Sequence, residues 1–125
     1  MRESELRIGN WVYFDDKLLA FDFENGWNFD YVKPIQLTEE WLIKFGFKLL
    51  RKDEFNDYTQ TVYGKSIIVG DEDNSEKLVF YFPFNICEIG EYSPKDDDYS
   101  YVLNINIDYV HQVQNLFYSL TNTEL

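Results

Sequence analysis

Cysteine and histidine are almost absent from this chain, and basic residues are scarce over most of it. Cys87 is the only cysteine and His111 the only histidine. A single cysteine excludes an internal disulfide and makes a reducing cytosol the expected compartment. A structural zinc site takes about four sulfur or imidazole ligands, more than the chain owns. The six glycines form neither a Walker phosphate loop nor a Gly-x-Gly-x-x-Gly turn, so no nucleotide cradle is expected. The apolar run Leu78-Val79-Phe80-Tyr81-Phe82-Pro83-Phe84 is strand-length and broken by Pro83, well short of the roughly 20 residues that span a bilayer. Met1-Arg2-Glu3-Ser4-Glu5 lacks the apolar core of a secretory signal. The expected setting is soluble and cytoplasmic, with no membrane partner.

Positive charge thins out along the chain. Residues 1–52 hold eight basic and nine acidic side chains, whereas residues 53–125 hold three basic and fourteen acidic. Nearly all of the net charge of -12 therefore belongs to the second segment. Such a surface repels nucleic acid and anionic lipid. It attracts a basic protein surface within a screening length of roughly 8 Å at physiological salt. The same charge also serves plain solubility.

Aromatic residues are what the chain has in excess: eleven Phe, ten Tyr and three Trp. Large rings bury much area per residue, which helps a small domain offset its ordering entropy. A disordered chain lacks them. The length of 125 residues suits a single domain, residues 1–125.

Leu6 to Phe14 reads as an opening strand, with Gly9-Asn10 permitting a bend or bulge. Lys17–Phe23 and Trp27–Val32 flank Asn25-Gly26, a hairpin-turn pair, and are expected to pair antiparallel. A helix is predicted from about Glu39 to Phe45. Thr38 is its N-cap, Glu39 and Glu40 suit the dipole of its first turn, and Gly46 ends it. Phe47–Leu50 reads as a strand, and Tyr58–Tyr63 with Lys65–Gly70 as a hairpin turning at Gly64. Leu78–Phe82 is the most β-like segment and Tyr99–Ile107 a further strand. Asp71–Glu76 and Glu91–Asp98 read as acidic loops. A last helix is predicted from about Tyr109 to Leu120, capped by Asp108. Tyr109, Val110, Val113, Leu116, Phe117 and Leu120 form its apolar stripe, and His111, Gln112, Gln114, Asn115 and Ser119 fall away from it. Trp41, Phe45, Val113, Leu116, Phe117 and Leu120 are expected to be buried. The fold class is α+β: a curved antiparallel β-sheet with one short central helix and one C-terminal amphipathic helix packed on it.

Chemistry-bearing patterns are thin. Cys87 and His111 are one nucleophile–base combination, but nothing local joins them. A structural Cys87 between Ile86 and Ile89 and a surface or boundary His111 are expected. The Asp71 loop offers the oxygen ligands calcium takes. Glu76 and Phe82, however, stand where an EF-hand needs its glycine and its closing glutamate. Among twenty-three acids no glycosidase-like pair can be singled out. No metal, no cofactor and no catalytic residue are expected, and the chain is read as a non-enzyme. Direct nucleic-acid binding is not expected, because the net charge opposes the phosphate attraction that supplies affinity.

Three separated blocks carry a resemblance. They are Leu6-Arg7-Ile8-Gly9-Asn10, Pro34-Ile35-Gln36-Leu37-Thr38-Glu39-Glu40-Trp41-Leu42-Ile43-Lys44-Phe45-Gly46-Phe47, and Tyr109-Val110-His111-Gln112-Val113-Gln114-Asn115-Leu116-Phe117-Tyr118-Ser119-Leu120-Thr121. In these the chain resembles a group of small, functionally unassigned proteins from phages and mobile elements of Bacteroidetes. The resemblance covers roughly a quarter of the chain, leaves the acidic middle unmatched and carries over no catalytic residue. In size, acidity and want of enzymatic motifs the chain is also similar to phage anti-CRISPR proteins.

That likeness implies an inhibitor of host defence that binds the basic nucleic-acid-binding surface of a CRISPR effector nuclease, type VI or type II. The alternative is a phage structural or assembly accessory forming a homo-oligomer. The expected partner-binding residues are Asp53, Glu54, Asp57, Asp71, Glu72, Asp73, Glu76, Asp96, Asp97 and Asp98. Tyr58, Tyr92 and Tyr99 are expected to serve as aromatic anchors. The competing reading is that these acids only solubilise.

Overall fold

A computed structural model describes residues 5–22, 31–68, 76–93 and 98–125, with backbone alone at 90–93 and 98–104. It is an α+β structure of two antiparallel sheets and two helices. The small sheet starts with a tight hairpin. β1 (Trp11–Phe14) and β2 (Lys17–Ala20) are joined by Asp15 and Asp16 at φ 49° and 63°. Two successive positive φ angles match the twist of a two-residue hairpin, and Asp tolerates them. Gly9, at φ 93°, bends the chain ahead of β1, where its N–H donates to the Phe21 carbonyl at 2.8 Å. β3 (Val32–Lys33) pairs with the other edge of β1, giving the order β2-β1-β3. The described ends of the segments expected to pair, Lys17–Ala20 and Val32, thus flank β1 on opposite sides, and residues 23–30 lie outside the described residues. The Asp15-Asp16 turn has already committed β2 to β1, and the Asn25-Gly26 turn lies outside the described residues.

α1 (Glu39–Lys44) occupies nearly the predicted span. Thr38 has the extended backbone of an N-cap, but its side chain makes no capping bond. Gly46, at φ 89°, ends the helix. Its N–H reaches the Ile43 carbonyl at 3.0 Å, and the Phe47 N–H reaches Leu42 at 2.9 Å. This pair of bonds is a Schellman closure, and Phe47 and Leu42 supply its apolar contact.

The large sheet is a five-stranded meander in chain order. It comprises β4 (Lys48–Glu54), β5 (Thr59–Ser66), β6 (Glu76–Phe82), β7 (Ile86–Ser93) and β8 (Asp98–Asn106). Register shifts at Leu49/Arg51 and Ile89/Gly90 mark bulges, which bend strands and raise their twist. Gly64 is not a turn. β5 runs straight through it, opposite Lys48 on one side and Val79 on the other. A Cβ there would lie 2.5 Å from Leu50 Cδ1, so the glycine admits a close neighbour rather than a reversal. The expected acidic loop at Glu91–Asp98 is strand at both ends, and its residues 94–97 lie outside the described residues. Glu91 to Ser93 belong to β7 and Asp98 opens β8.

α2 (Val110–Thr121) is capped differently from expectation. The Gln112 Oε1 accepts from the backbone N–H groups of Asp108 at 3.0 Å and Tyr109 at 3.1 Å. Asp108 instead lies 3.5 Å from the Asn85 side-chain amide. A bridge between Gln36 and Tyr109, with Val110 N–H on the Ile35 carbonyl at 2.9 Å, ties the entry of α2 to the segment before α1.

Strand alternation decides the core. Tyr63, Leu78, Phe80, Phe82 and Cys87 face Leu42, Phe45, Phe47, Val110, Val113 and Phe117. On the opposite sheet face, Val62, Val79 and Tyr81 cluster with Leu50 and Ile86. Leu6, Val12, Phe21 and Val32 form a third cluster around the small sheet. The predicted stripe of α2 needs correction. Val113 and Phe117 are buried, Leu116 is half-buried like Trp41, and Leu120 is exposed. His111 and Gln114, expected outside, are each only 2% exposed. The helix is covered on two sides, by the large sheet and by the chain around Gly9 to Trp11. Gln114 accepts from Trp11 N–H at 2.8 Å and donates to the Gly9 carbonyl at 3.2 Å. No described helix is long and apolar enough to cross a membrane.

This packing sets the expected cost of three substitutions. Leu42→Ala should cost roughly 2–5 kcal/mol in urea unfolding, because Leu42 is fully buried. Leu120→Ala should stay within about 0.5 kcal/mol. Gln114→Leu keeps the size but strips partners from Trp11 N–H and the Gly9 carbonyl. It should cost about 1–3 kcal/mol for each buried group left unpaired, read in the same assay.

Candidate interaction surface

β5 and β6 run antiparallel with Thr61 opposite Phe82. The β4–β5 turn and the β6–β7 turn therefore emerge at the same end of the large sheet. The first turn is closed by the Phe55 N–H on the Tyr58 carbonyl at 2.8 Å. The second follows the cis Phe82–Pro83 bond and ends at Asn85, φ 53°. Together they set three rings in contact. Phe55 stacks on Tyr58 at 4.8 Å, and Tyr58 meets Phe84 edge-on at 5.3 Å. The three rings are 51%, 41% and 47% exposed. Scattered exposed rings need no explanation, whereas three in mutual contact make a contiguous apolar surface.

Acids border the cluster. Glu54 ends β4 and Asp57 sits in the turn, both exposed. Asp53 is half-buried and accepts from Arg51 Nε at 2.8 Å, so part of its charge is already matched. Beside the rings lies a groove of about 590 Å³, bordered by Glu39, Lys52, Thr59, Thr61, Phe82 and Pro83. The Thr61 hydroxyl donates to the Glu39 carboxylate. Burial, followed by the Glu39 charge and hydrogen bond, raises the pKa of the Tyr63 hydroxyl above the ordinary phenol value.

The expected binding residues do not form one surface. Asp53, Glu54, Asp57 and Tyr58 share the aromatic end. Glu76 opens β6 opposite Glu91, Tyr92 pairs with Tyr99, and Asp98 stands opposite Ser93. These four lie toward the other end of the sheet. Asp71, Glu72, Asp73, Asp96 and Asp97 lie outside the described residues. Phe55 and Phe84 were not among the expected anchors. Their signal was an aromatic in each of two turns, which gains meaning only once the meander brings the turns together.

His111 is a core residue, not a boundary one. Its Nε2 lies 3.9 Å from Glu5 Oε2, Tyr109 stacks on its ring at 5.9 Å, and its Nδ1 has no hydrogen-bond partner among the described residues. Cys87 is fully buried. Burial, and then the Glu88 charge, push its thiol well above the usual range and oppose thiolate formation. Among the described residues no hydrogen bond joins Cys87 to His111, and no group of three His, Cys, Asp or Glu could hold a metal ion. No family model, curated protein or solved structure matches the chain.

The buried imidazole predicts a pH effect. Burial lowers the His111 pKa below its ordinary value near 6.5, against the opposing pull of Glu5. The unfolded chain therefore takes up this proton at a higher pH than the native state. Stability is full above about pH 6.5 and falls as pH drops through that value toward the lowered native pKa. Chemical unfolding at pH 7.5 and 5.5 should show this loss, and His111→Gln should show a smaller one.

Proposed function

We propose that this chain is a non-enzymatic inhibitor of host defence, encoded by a phage or mobile element. Its target is the basic nucleic-acid-binding surface of a CRISPR effector nuclease, type VI or type II. The observation that carries this reading is the exposed Phe55–Tyr58–Phe84 cluster set among acids. Rings held against one another lose little freedom on binding and make good anchors. The surrounding carboxylates and the overall charge of -12 favour a basic partner and speed its approach. The family resemblance and the likeness to anti-CRISPR proteins supply the biological setting.

A second reading is a phage assembly accessory that forms a homo-oligomer. It draws on a separate apolar hollow of about 330 Å³ bordered by Trp11, Trp41, Phe45 and the 44%-exposed Leu18. Like charge of this size opposes self-association, so the first reading is preferred. Light scattering separates them: a monomer supports the inhibitor and a symmetric oligomer the accessory.

The direct test is association with guide-loaded type VI and type II effectors at two salt concentrations. Replacing Phe55, Tyr58 and Phe84 together by Ser should weaken binding by at least about tenfold, the scale of a lost hot spot. Glu54→Gln with Asp57→Asn should slow association and flatten its salt dependence. No binding of the unaltered protein to either effector class would overturn the proposal.

A further inference from the structure

We infer that the groove beside the aromatic cluster seats one arginine side chain of the basic partner, its guanidinium on Glu39 and its methylenes along Phe82 and Pro83. This deepens the proposed function and rests on its reading of that end of the sheet as the partner-binding face. The groove's volume of about 590 Å³ is ample for one long side chain. Glu39 is half-buried and its carboxylate accepts from the hydroxyl of Thr61. A carboxylate offers about four acceptor sites, so this one hydroxyl leaves room for a bidentate guanidinium. Holding the acceptor in place beforehand removes much of the entropy cost of forming that pair.

The walls suit arginine better than lysine. Phe82 supplies an aromatic wall to the groove that Glu39 borders. A guanidinium is planar, weakly hydrated and stacks on such rings, whereas an ammonium holds its water more tightly. One feature of the groove opposes a cation. Lys52 also borders it, on an exposed stem with no hydrogen bond or ion pair among the described residues. Glu54, on the same strand face as Lys52, and the exposed Asp57 of the following turn offset it. The competition gives the assignment a sign that can be tested: neutralising Glu39 must weaken a cationic ligand, and neutralising Lys52 must strengthen it.

The probe is a blocked Gly-Arg-Gly peptide, with citrulline and lysine counterparts, titrated into the isotope-labelled full chain and followed by amide chemical shifts. The arginine peptide should move Thr59, Thr61 and Asn85 saturably. The citrulline peptide, the same length without the charge, should move them little, and the lysine peptide should bind severalfold more weakly. Glu39→Gln, which keeps an acceptor for Thr61, should weaken the arginine peptide by about tenfold or more, the effect of losing one charge-assisted pair. Lys52→Met should tighten it.

Equal shifts from citrulline, no shifts in the groove, or tighter binding by Glu39→Gln with weaker binding by Lys52→Met would overturn the assignment; the last would mark an anion site. The two proposals fail separately. Effector binding that needs the aromatic cluster but is unchanged by Glu39→Gln removes the arginine seat and leaves the inhibitor reading intact. Arginine-peptide binding without effector binding does the reverse.

Discussion

A small set of buried amide groups holds the molecule in one arrangement. Gln114 and Asn10 are essentially inaccessible to solvent, and each would cost several kcal/mol to bury unpaired by the harsher transfer scales. Both are paired instead. Gln114 bridges Trp11 N–H and the Gly9 carbonyl. Asn115 accepts from the Asn10 and Arg7 side chains, each at 2.9 Å, and donates to the Glu5 carbonyl at 2.8 Å. Arg7 also reaches the Gln114 carbonyl and Glu124, and lies 4.2 Å over the Tyr118 ring. Apolar packing between α2 and β1 would tolerate sliding. Directional bonds to backbone atoms do not, since a shift of one residue would orphan each of them. This seam therefore sets where the small sheet sits on the helix, and with it the contact of Trp11 with Trp41 at 6.3 Å.

The seam also explains what was legible in the sequence and what was not. α1 could be read closely because its signals are local: an N-cap residue, two acids and a glycine able to take φ 89°. The limits of α2 were legible from the three- and four-residue spacing of Val110, Val113 and Phe117, although its cap was not. Its burial pattern was not, because the rule that polar residues face water fails where a second layer supplies hydrogen bonds. Gln114 and His111 were misplaced on that account. Gly64 failed in the same way, since its use is to admit Leu50 from a neighbouring strand and nothing within its own strand announces that. β7 was missed because Gly90, Glu91, Ser93 and the following Pro94 are turn and loop residue types, and only β6 and β8 on either side make the segment a strand.

The three sequence blocks that carry the resemblance turn out to be neighbours. Arg7 and Asn10 of the first bond to Asn115 of the third. Ile35 and Gln36 of the second bridge to Tyr109 and Val110. The capped helix of the second block then packs Leu42 and Phe45 into the same core as Val113 and Phe117. What looked like separate motifs is one structural unit, and its residue types follow from mutual contact. The two turns bearing Phe55, Tyr58 and Phe84 take no part in the seam. Their side chains can change without disturbing its register, which is the property expected of a recognition surface carried on a fixed scaffold.

Placing the described acids toward both ends of the large sheet separates two electrostatic roles. Charges far from a contact still act on approach, within the reach that salt allows. Only charges beside a desolvated anchor act on how long a complex lasts. Glu76 and Asp98, away from the exposed rings, fit the first role whether or not they ever touch a partner. In the proposed complex, Glu54 and Asp57 border the rings and would act in both. Asp53 is bonded to Arg51 and has less to offer an incoming cation than its sequence neighbours. Counting acids along the chain treats them all alike. Geometry ranks them, and the rank depends on distance from the aromatic cluster and on whether a base already holds the carboxylate.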